Sequence, residues 1–377
     1  MSHDMAAGYK RVSKFRTFGF ATVTTLLILS LVGWQGGWQD FLKVVILTVL
    51  EVTFSFDNAV VNARLLKHLN RFWQALFMSV GILIAVFVVR FALPIFIVQL
   101  TTGLGFMETV SLALNDPTTY AQELHKAGPF IDAFGGTFLI MIGIAYFMDE
   151  EKDVHWLSWL EQRLAPLGRF DNLSIFAMLG AAVVMGLTVP GEGAQFGVLL
   201  AAVCGVLLHV GLDLFEKVSD GNNEEDENEA EEATPKSNGS KRVKVLVGGA
   251  AFFMFCRLEV VDASFSFDGV IGAFAITTSV VIIAAGLANG AVWVRAMTVH
   301  LLRAGTLAKF RFLEHGAHWA ILFLGLVMIA KLYHIEAPEW FTGSIGLVMI
   351  VLSAIWSKVV ERREVNADER ALETAAR

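Results

Sequence analysis

The chain has 377 residues, 55% of them apolar and only 17% charged, with a formal net charge of -7 and a mean hydropathy of +0.60. Soluble domains carry about a quarter charged residues, so an ordinary soluble protein is excluded. The negative excess comes from nine acids between Glu216 and Glu232, the rest being close to balanced, and nothing in the charge suggests a nucleic-acid partner.

Apolar runs of about 20 residues predict an all-α polytopic membrane protein. The predicted spans are 17–33, 41–63, 72–98, 130–148, 172–189, 194–213, 245–272, 278–302, 314–333 and 341–357. The first follows a basic stretch (Lys10, Arg11, Lys14, Arg16) and reads as an uncleaved span, with Trp34 and Trp38 placed at the interface. Residues 99–129 read as a long outer loop with a short amphipathic helix, and 216–242 as a low-complexity acidic linker. Cys204 and Cys256 fall in apolar spans and read as small buried residues, with no disulfide or zinc pattern.

Positive charge tests the list. Arg64, Lys67 and Arg71, then Lys152, Arg163 and Arg169, then Lys217 with 236–244, then Arg303, Lys309 and Arg311, and finally Lys358, Arg362 and Arg363 fall in every second loop. By the positive-inside rule these loops and both termini are cytoplasmic, in the cell's inner (plasma) membrane.

One phrase occurs twice. Glu51 to Val60 reads Glu-Val-Thr-Phe-Ser-Phe-Asp-Asn-Ala-Val, and Asp262 to Ile271 reads Asp-Ala-Ser-Phe-Ser-Phe-Asp-Gly-Val-Ile. Glu51 matches Asp262, Ser55 matches Ser266, Asp57 matches Asp268, and Gly269 stands opposite Asn58. The copies lie in spans two and seven, an odd number apart, so they cross in opposite directions. Phe87–Arg90 of span three resembles Trp293–Arg295 of span eight, and span four loosely resembles span nine. An inverted three-helix repeat is expected, with its site near the midplane where the copies meet. The predicted organisation is a tail and first span (1–39), a first repeat (40–150), two connecting spans (151–215), the acidic linker (216–242), a second repeat (243–335), and a last span with its tail (336–377).

Ionised carboxylates inside apolar spans are costly and mark function. On a helix, Glu259, Asp262 and Ser266 share a face, as do Glu51 and Ser55. The second acid of each phrase, Asp57 or Asp268, lies six residues on and points about 120° away on 3.6-residue geometry. Convergence on one ion therefore predicts a helix break near Ser55–Asn58 and near Ser266–Gly269. Carboxylates, an amide, hydroxyls and freed carbonyls make a hard oxygen site, suited to Mn²⁺, Ca²⁺ or Mg²⁺. Arg90 and Arg295 are candidate internal counter-charges, with snorkelling to the surface the alternative. Blander readings stand beside these. A membrane acid can be a structural hydrogen-bond partner, Glu192 reads as a loop residue, and helix capping accounts for His209 with Asp213 and for Glu314, His315 and His318.

The repeated Phe-Ser-Phe-Asp phrase, with an acid three residues before it, resembles the TerC family of integral membrane proteins, in particular a subgroup known only as a domain of unknown function. The resemblance covers roughly residues 40–357. That family is grouped with the LysE-type transporters, is linked by name with tellurite resistance, and has members implicated in manganese export. The resemblance implies that Glu51, Asp57, Asn58, Asp262 and Asp268 bind a metal ion, supported by Ser55, Ser266, Glu259, Arg90 and Arg295. The sequence departs from the family at Gly269, in its extra spans and in the acidic linker. The expected function is export of a divalent cation, Mn²⁺ first and Ca²⁺ second, with no enzymatic activity and no permanent cofactor. A non-transporting stress-system scaffold and an intramembrane aspartyl protease are the rivals; the Gly-x-Gly-Asp order of the latter is absent.

Overall fold

The computed structural model describes residues 14–148, 154–164, 166, 170, 172–191, 193–231, 248–274, 276–303, 310–335 and 337–375; at Asp57 and 265–268, among others, it describes backbone alone. The described chain is helical, with no strand. Among the described residues, seven stretches are long and apolar enough to cross a bilayer: Thr17–Thr53, Arg71–Thr102, Pro117–Phe147, Ala194–Phe215, Val280–Arg303, Leu313–Lys331 and Ser344–Glu364. Leu173–Thr188 is apolar but shorter. The protein is a multi-pass helical membrane protein.

The first of these stretches is a hairpin. Helix α1 (Lys14–Phe54) is interrupted at Gly37, whose φ of 72° and ψ of -167° are non-helical and suit a residue without Cβ. Beyond it the chain folds back. A Cβ on Gly33 would lie 3.5 Å from the Phe41 ring, whereas residues eight apart on a straight helix are separated by about 12 Å. Thr25 Oγ1 lies 2.9 Å from Asn289 Oδ1, and Asn289 Nδ2 donates to Thr48 Oγ1 at 3.2 Å, so one side chain ties the two legs at the same depth. Trp34 and Trp38 are exposed at the tip, as interfacial anchors would be.

Ser55 then separates α1 from α2 (Phe56–Lys67). Helix α3 (Arg71–Leu83), capped by the Asn70 side chain on the Phe72 and Trp73 amides, passes through a π-helical segment (Ile84–Ala92) into α4 (Leu93–Thr102). The expected outer loop is largely helical: α5 spans Phe106–Asn115, and α6 (Pro117–Phe147) starts well before the predicted span. Pro117 sits in the first turn of α6, where a missing amide costs nothing, and the Asp116 carboxylate accepts the Thr119 amide at 3.2 Å. Helices α7 (Ser158–Leu164), α8 (Leu173–Thr188) and α9 (Ala194–Glu231) follow. The helix of α9 runs to Glu231, so the first part of the acidic linker is helical, while 232–242 lies outside the described residues. The second half comprises α10 (Gly248–Ala273), α11 (Val280–Arg303), α12 (Leu313–Lys331) and α13 (Glu339–Ala375). Cys204 is exposed rather than buried: it sits on the outward face of α9, where an apolar surface belongs toward lipid.

Two apolar clusters bracket the middle of the fold. One joins Val44, Leu47, Ile95, Val98, Val270, Ala273, Val280, Ile283 and Leu287. The other joins Val60, Val61, Ala63, Phe138, Ile142, Val261, Ala317 and Ile321, and Leu302 packs on it. A third, built from Leu66, Phe77, Ala251 and Leu258, also contacts Leu302. Chain direction follows. From 44 to 63 the chain passes from the first cluster to the second, and from 251 to 273 it passes back. From Phe77 to Ile95 it runs toward the first cluster, and from Val280 to Leu302 away from it. Helices α6 and α12 pair antiparallel: Gly136 meets Gly325, and Phe147 meets Trp319 at a ring separation of 4.4 Å. A Cβ on Gly325 would come 2.9 Å from the Gly136 carbonyl oxygen, so the crossing requires residues this small.

Candidate functional site

The motif carboxylates lie between the clusters, on oppositely directed segments. Glu51, at 3% exposure, ends the second leg of α1 one turn before the break at Ser55. The break matches the expected one in the first copy. The second copy differs, because α10 continues as helix through 266–269 to Ala273. Packing of α10 by Val261 on one cluster and Val270 on the other fixes both ends of that stretch and leaves it no slack to unwind.

Each described acid is matched to an arginine on another helix. The Arg90 Nη2 bonds Glu51 Oε1, and its Nη1 donates to the Ala85 carbonyl at 2.8 Å. The π-helical turn carries Arg90 and is the device that turns it inward; such turns recur at functional sites. Ser55 Oγ donates to the same Glu51 oxygen at 3.2 Å. In the second copy Arg295 forks across Glu259, with Nη1 to Oε1 at 3.1 Å and Nη2 to Oε2 at 2.9 Å, and Nη2 also lies 3.2 Å from Asp262 Oδ2. Its Nη1 reaches the Phe77 carbonyl at 2.9 Å, and its guanidinium stacks 4.0 Å over the Phe77 ring. Arg90 and Arg295 are 5% and 1% exposed, so neither snorkels.

The copies also meet each other. Asn58 Nδ2 donates to Asp262 Oδ1 at 2.6 Å. In the reciprocal place, a Cβ on Gly269 would stand 3.1 Å from Glu51 Oε2. The position after the second acid of each phrase therefore faces the first acid of the other phrase. Glu51, Asn58, Asp262, Glu259, Ser55, Arg90 and Arg295 thus come together as expected. The side chains of Asp57, Ser266 and Asp268 lie outside those described, as does Glu192.

Sequence reasoning missed Asn62, fully buried, which gives Asp262 Oδ1 a second amide donor at 3.2 Å. Its signal was its place four residues after Asn58, on the same helix face. It also missed three glycines. Gly81 and Gly286 each stand nine residues before the paired arginine, and Gly286 and Gly290 make a small-xxx-small ridge. A Cβ on Gly81 would press on Glu259 Oε1 at 2.5 Å; on Gly290 it would lie 2.5 Å from Glu51 Cβ. Among the described residues no group of three or more His, Cys, Asp and Glu forms a ready cation cage, the acids being held by arginine and amide.

The histidines weighed as ligands are engaged elsewhere. His318 stacks on Tyr146 at 3.7 Å and its Nε2 lies 2.9 Å from Arg64 Nη1, while His315 Nε2 lies 2.7 Å from the Val154 carbonyl. Glu314 pairs with Arg64 at 3.4 Å. His209 packs edge-on to Phe138.

Fold and site together define a multi-pass helical membrane protein with buried, cross-linked acid–arginine pairs at its centre. The chain belongs to the family described as "Protein of unknown function (DUF475)", which matches residues 56–364 and so takes in Asp57, Asn58 and the whole second phrase, though not Glu51. No curated protein and no solved structure matches the chain.

Proposed function

We propose that the protein is a transporter that exports a divalent cation, Mn²⁺ first among candidates, by alternating access of two inverted three-helix repeats around the motif carboxylates. The observation that carries this is that two matched, buried acids, Glu51 and Asp262, each face the other's phrase, on segments that run in opposite directions between the same apolar clusters. The α1 hairpin, the chain through α2, the α3–α4 unit, α6 and α8 to α13 amount to ten crossings in this reading, with both termini cytoplasmic in the inner (plasma) membrane. The resemblance to the TerC family supports the same assignment and gives manganese its place. Transporters built from inverted repeats hold their substrate where the repeats meet, and that is where Asn58 meets Asp262 and Glu51 meets Gly269.

The test is the metal content of cells that lack their own manganese exporter, loaded with manganese and expressing either wild type or Asp57→Asn/Asp268→Asn. Wild type should lower cell manganese and the variant should not, at equal membrane abundance. Equal manganese in both would remove the acids from any Mn²⁺ path and favour a scaffold whose acid–arginine pairs are purely structural, a role their complete pairing also suits.

A further inference from the structure

The arginines raise a question the cation reading leaves open: what neutralises the site when no cargo is there. We propose that Arg90 and Arg295 are tethered counter-cations, which occupy the motif carboxylates in the empty site and are displaced from them by the incoming ion. The inference rests on the reading of those acids as a cation site.

Three observations carry it. Glu51, Glu259 and Asp262 are each at most 7% exposed and each holds a guanidinium. Buried carboxylates without such partners are strongly unfavourable. Arg90 occupies Glu51 Oε1, and Arg295 occupies both Glu259 oxygens and Asp262 Oδ2, which are the oxygens a cation would need. Cargo and arginine therefore compete. Each arginine, moreover, has a second hold outside the carboxylates: Arg90 on the Ala85 carbonyl at 2.8 Å, Arg295 on the Phe77 carbonyl at 2.9 Å and on the Phe77 ring. A guanidinium that releases its acid stays hydrogen-bonded instead of being stranded. The buried Nε of each has no partner among the described residues, so the described contacts do not lock every donor of either arginine.

The two are not equivalent. Arg295 spans two acids and is clamped by a bidentate fork, whereas among the described acids Arg90 holds Glu51 alone. Arg90 is the member that leaves first, and Arg295 keeps Glu259 throughout.

The experiment measures Mn²⁺ affinity of the purified full-length protein in detergent by equilibrium dialysis, for wild type, Arg90→Gln and Arg90→Lys, with thermal melting of each. Removing the competitor should tighten Mn²⁺ binding at least tenfold in Arg90→Gln, about 1.4 kcal/mol. The apo melting temperature should fall and the Mn²⁺-induced rise in it should grow. Arg90→Lys keeps a cation but loses the planar, two-donor grip. It should bind a few-fold tighter than wild type, which keeps the test alive should Arg90→Gln not fold. Wild-type binding with unchanged or weaker affinity in the variants would overturn the proposal while leaving the cation site standing, since a merely structural arginine lowers stability without tightening cargo. Absence of Mn²⁺ binding in all three would overturn both.

Discussion

Replacement of Gly290 by alanine tests whether α11 sits as close to Glu51 as the site requires. The added Cβ would lie 2.5 Å from both Cβ and Cγ of Glu51 and 3.2 Å from the Thr48 carbonyl oxygen. Carbon atoms in contact sit about 3.5–4.0 Å apart, so the helices must part by about 1 Å. No side-chain rotation relieves the clash, because Glu51 Cβ and the Thr48 carbonyl belong to, or are fixed to, the backbone. One turn earlier a Cβ on Gly286 would lie 2.5 Å from Leu47 Cβ, so the helices are equally close there and α11 cannot pivot about that end either. Overpacking of this kind costs about 1–3 kcal/mol. The control is Gly180→Ala on the exposed side of α8, where a new Cβ meets nothing within 4 Å. Both substitutions exchange glycine for alanine within a helix, so the propensity gain of about 1 kcal/mol is common to them, and their difference isolates the overpacking. Thermal unfolding in detergent should rank Gly180→Ala above Gly290→Ala by that margin. Gly290→Ala should also lose manganese export although it keeps every acid, because Glu51 is pushed off its Arg90 and Gly269 contacts. Equal stability of the two variants would refute the close approach and the placement of Glu51 with it.

Two further predictions concern the second acid pair and the surface. Asn58→Ala removes the 2.6 Å amide bond to Asp262 but leaves Asn62 and Arg295 in place, so it should cost about 1.5–3 kcal/mol and reduce export without abolishing folding, as thermal unfolding and cell metal content would show. His68, in the turn between α2 and α3, is held below its ordinary 6.5 by burial first, then by Arg64 and Lys67, with Glu314 opposing. The unfolded chain therefore binds the extra proton more readily, and stability should be full above pH 6.5 and decline as pH falls through that value toward the lower folded pKa. His68→Gln should flatten that decline in melting temperature measured from pH 7.5 to 5; an unchanged slope would assign it to other groups.

Much of the site was legible because charge inside apolar sequence is conspicuous. Glu51, Asp262, Glu259, Arg90 and Arg295 stood out for that reason, and each is engaged by an opposite charge, Glu51 by Arg90 and the other two acids by Arg295. The α1 hairpin was legible too, as two spans, 17–33 and 41–63, on either side of the interfacial Trp34 and Trp38. What was not legible depended on partners. Residues 99–129 read as mostly loop, yet Asp116 and Pro117 start α6 within them. The stretch 216–231 read as unstructured from its acidity, although glutamate is a good helix former and the helix of α9 carries on through it. The second phrase looked breakable at Gly269, but the reason for that glycine is the Glu51 carboxylate of the first phrase and not a kink in its own helix.

That last point explains why the two phrases differ where they do. Glutamate is one methylene longer than aspartate. Glu51 reaches far enough toward the opposing helix that its Oε2 stands 3.1 Å from where a Cβ on residue 269 would be, and an amide there would have to displace it. Asp262 stops short, and the space it leaves is filled by the Asn58 amide at 2.6 Å. Long acid with glycine and short acid with asparagine are two solutions to one spacing. The first leaves Glu51 bound by Arg90 and Ser55, the second surrounds Asp262 with Asn58, Asn62 and Arg295. The two phrases are thus matched in position and unequal in hold, so one carboxylate is more readily freed than the other.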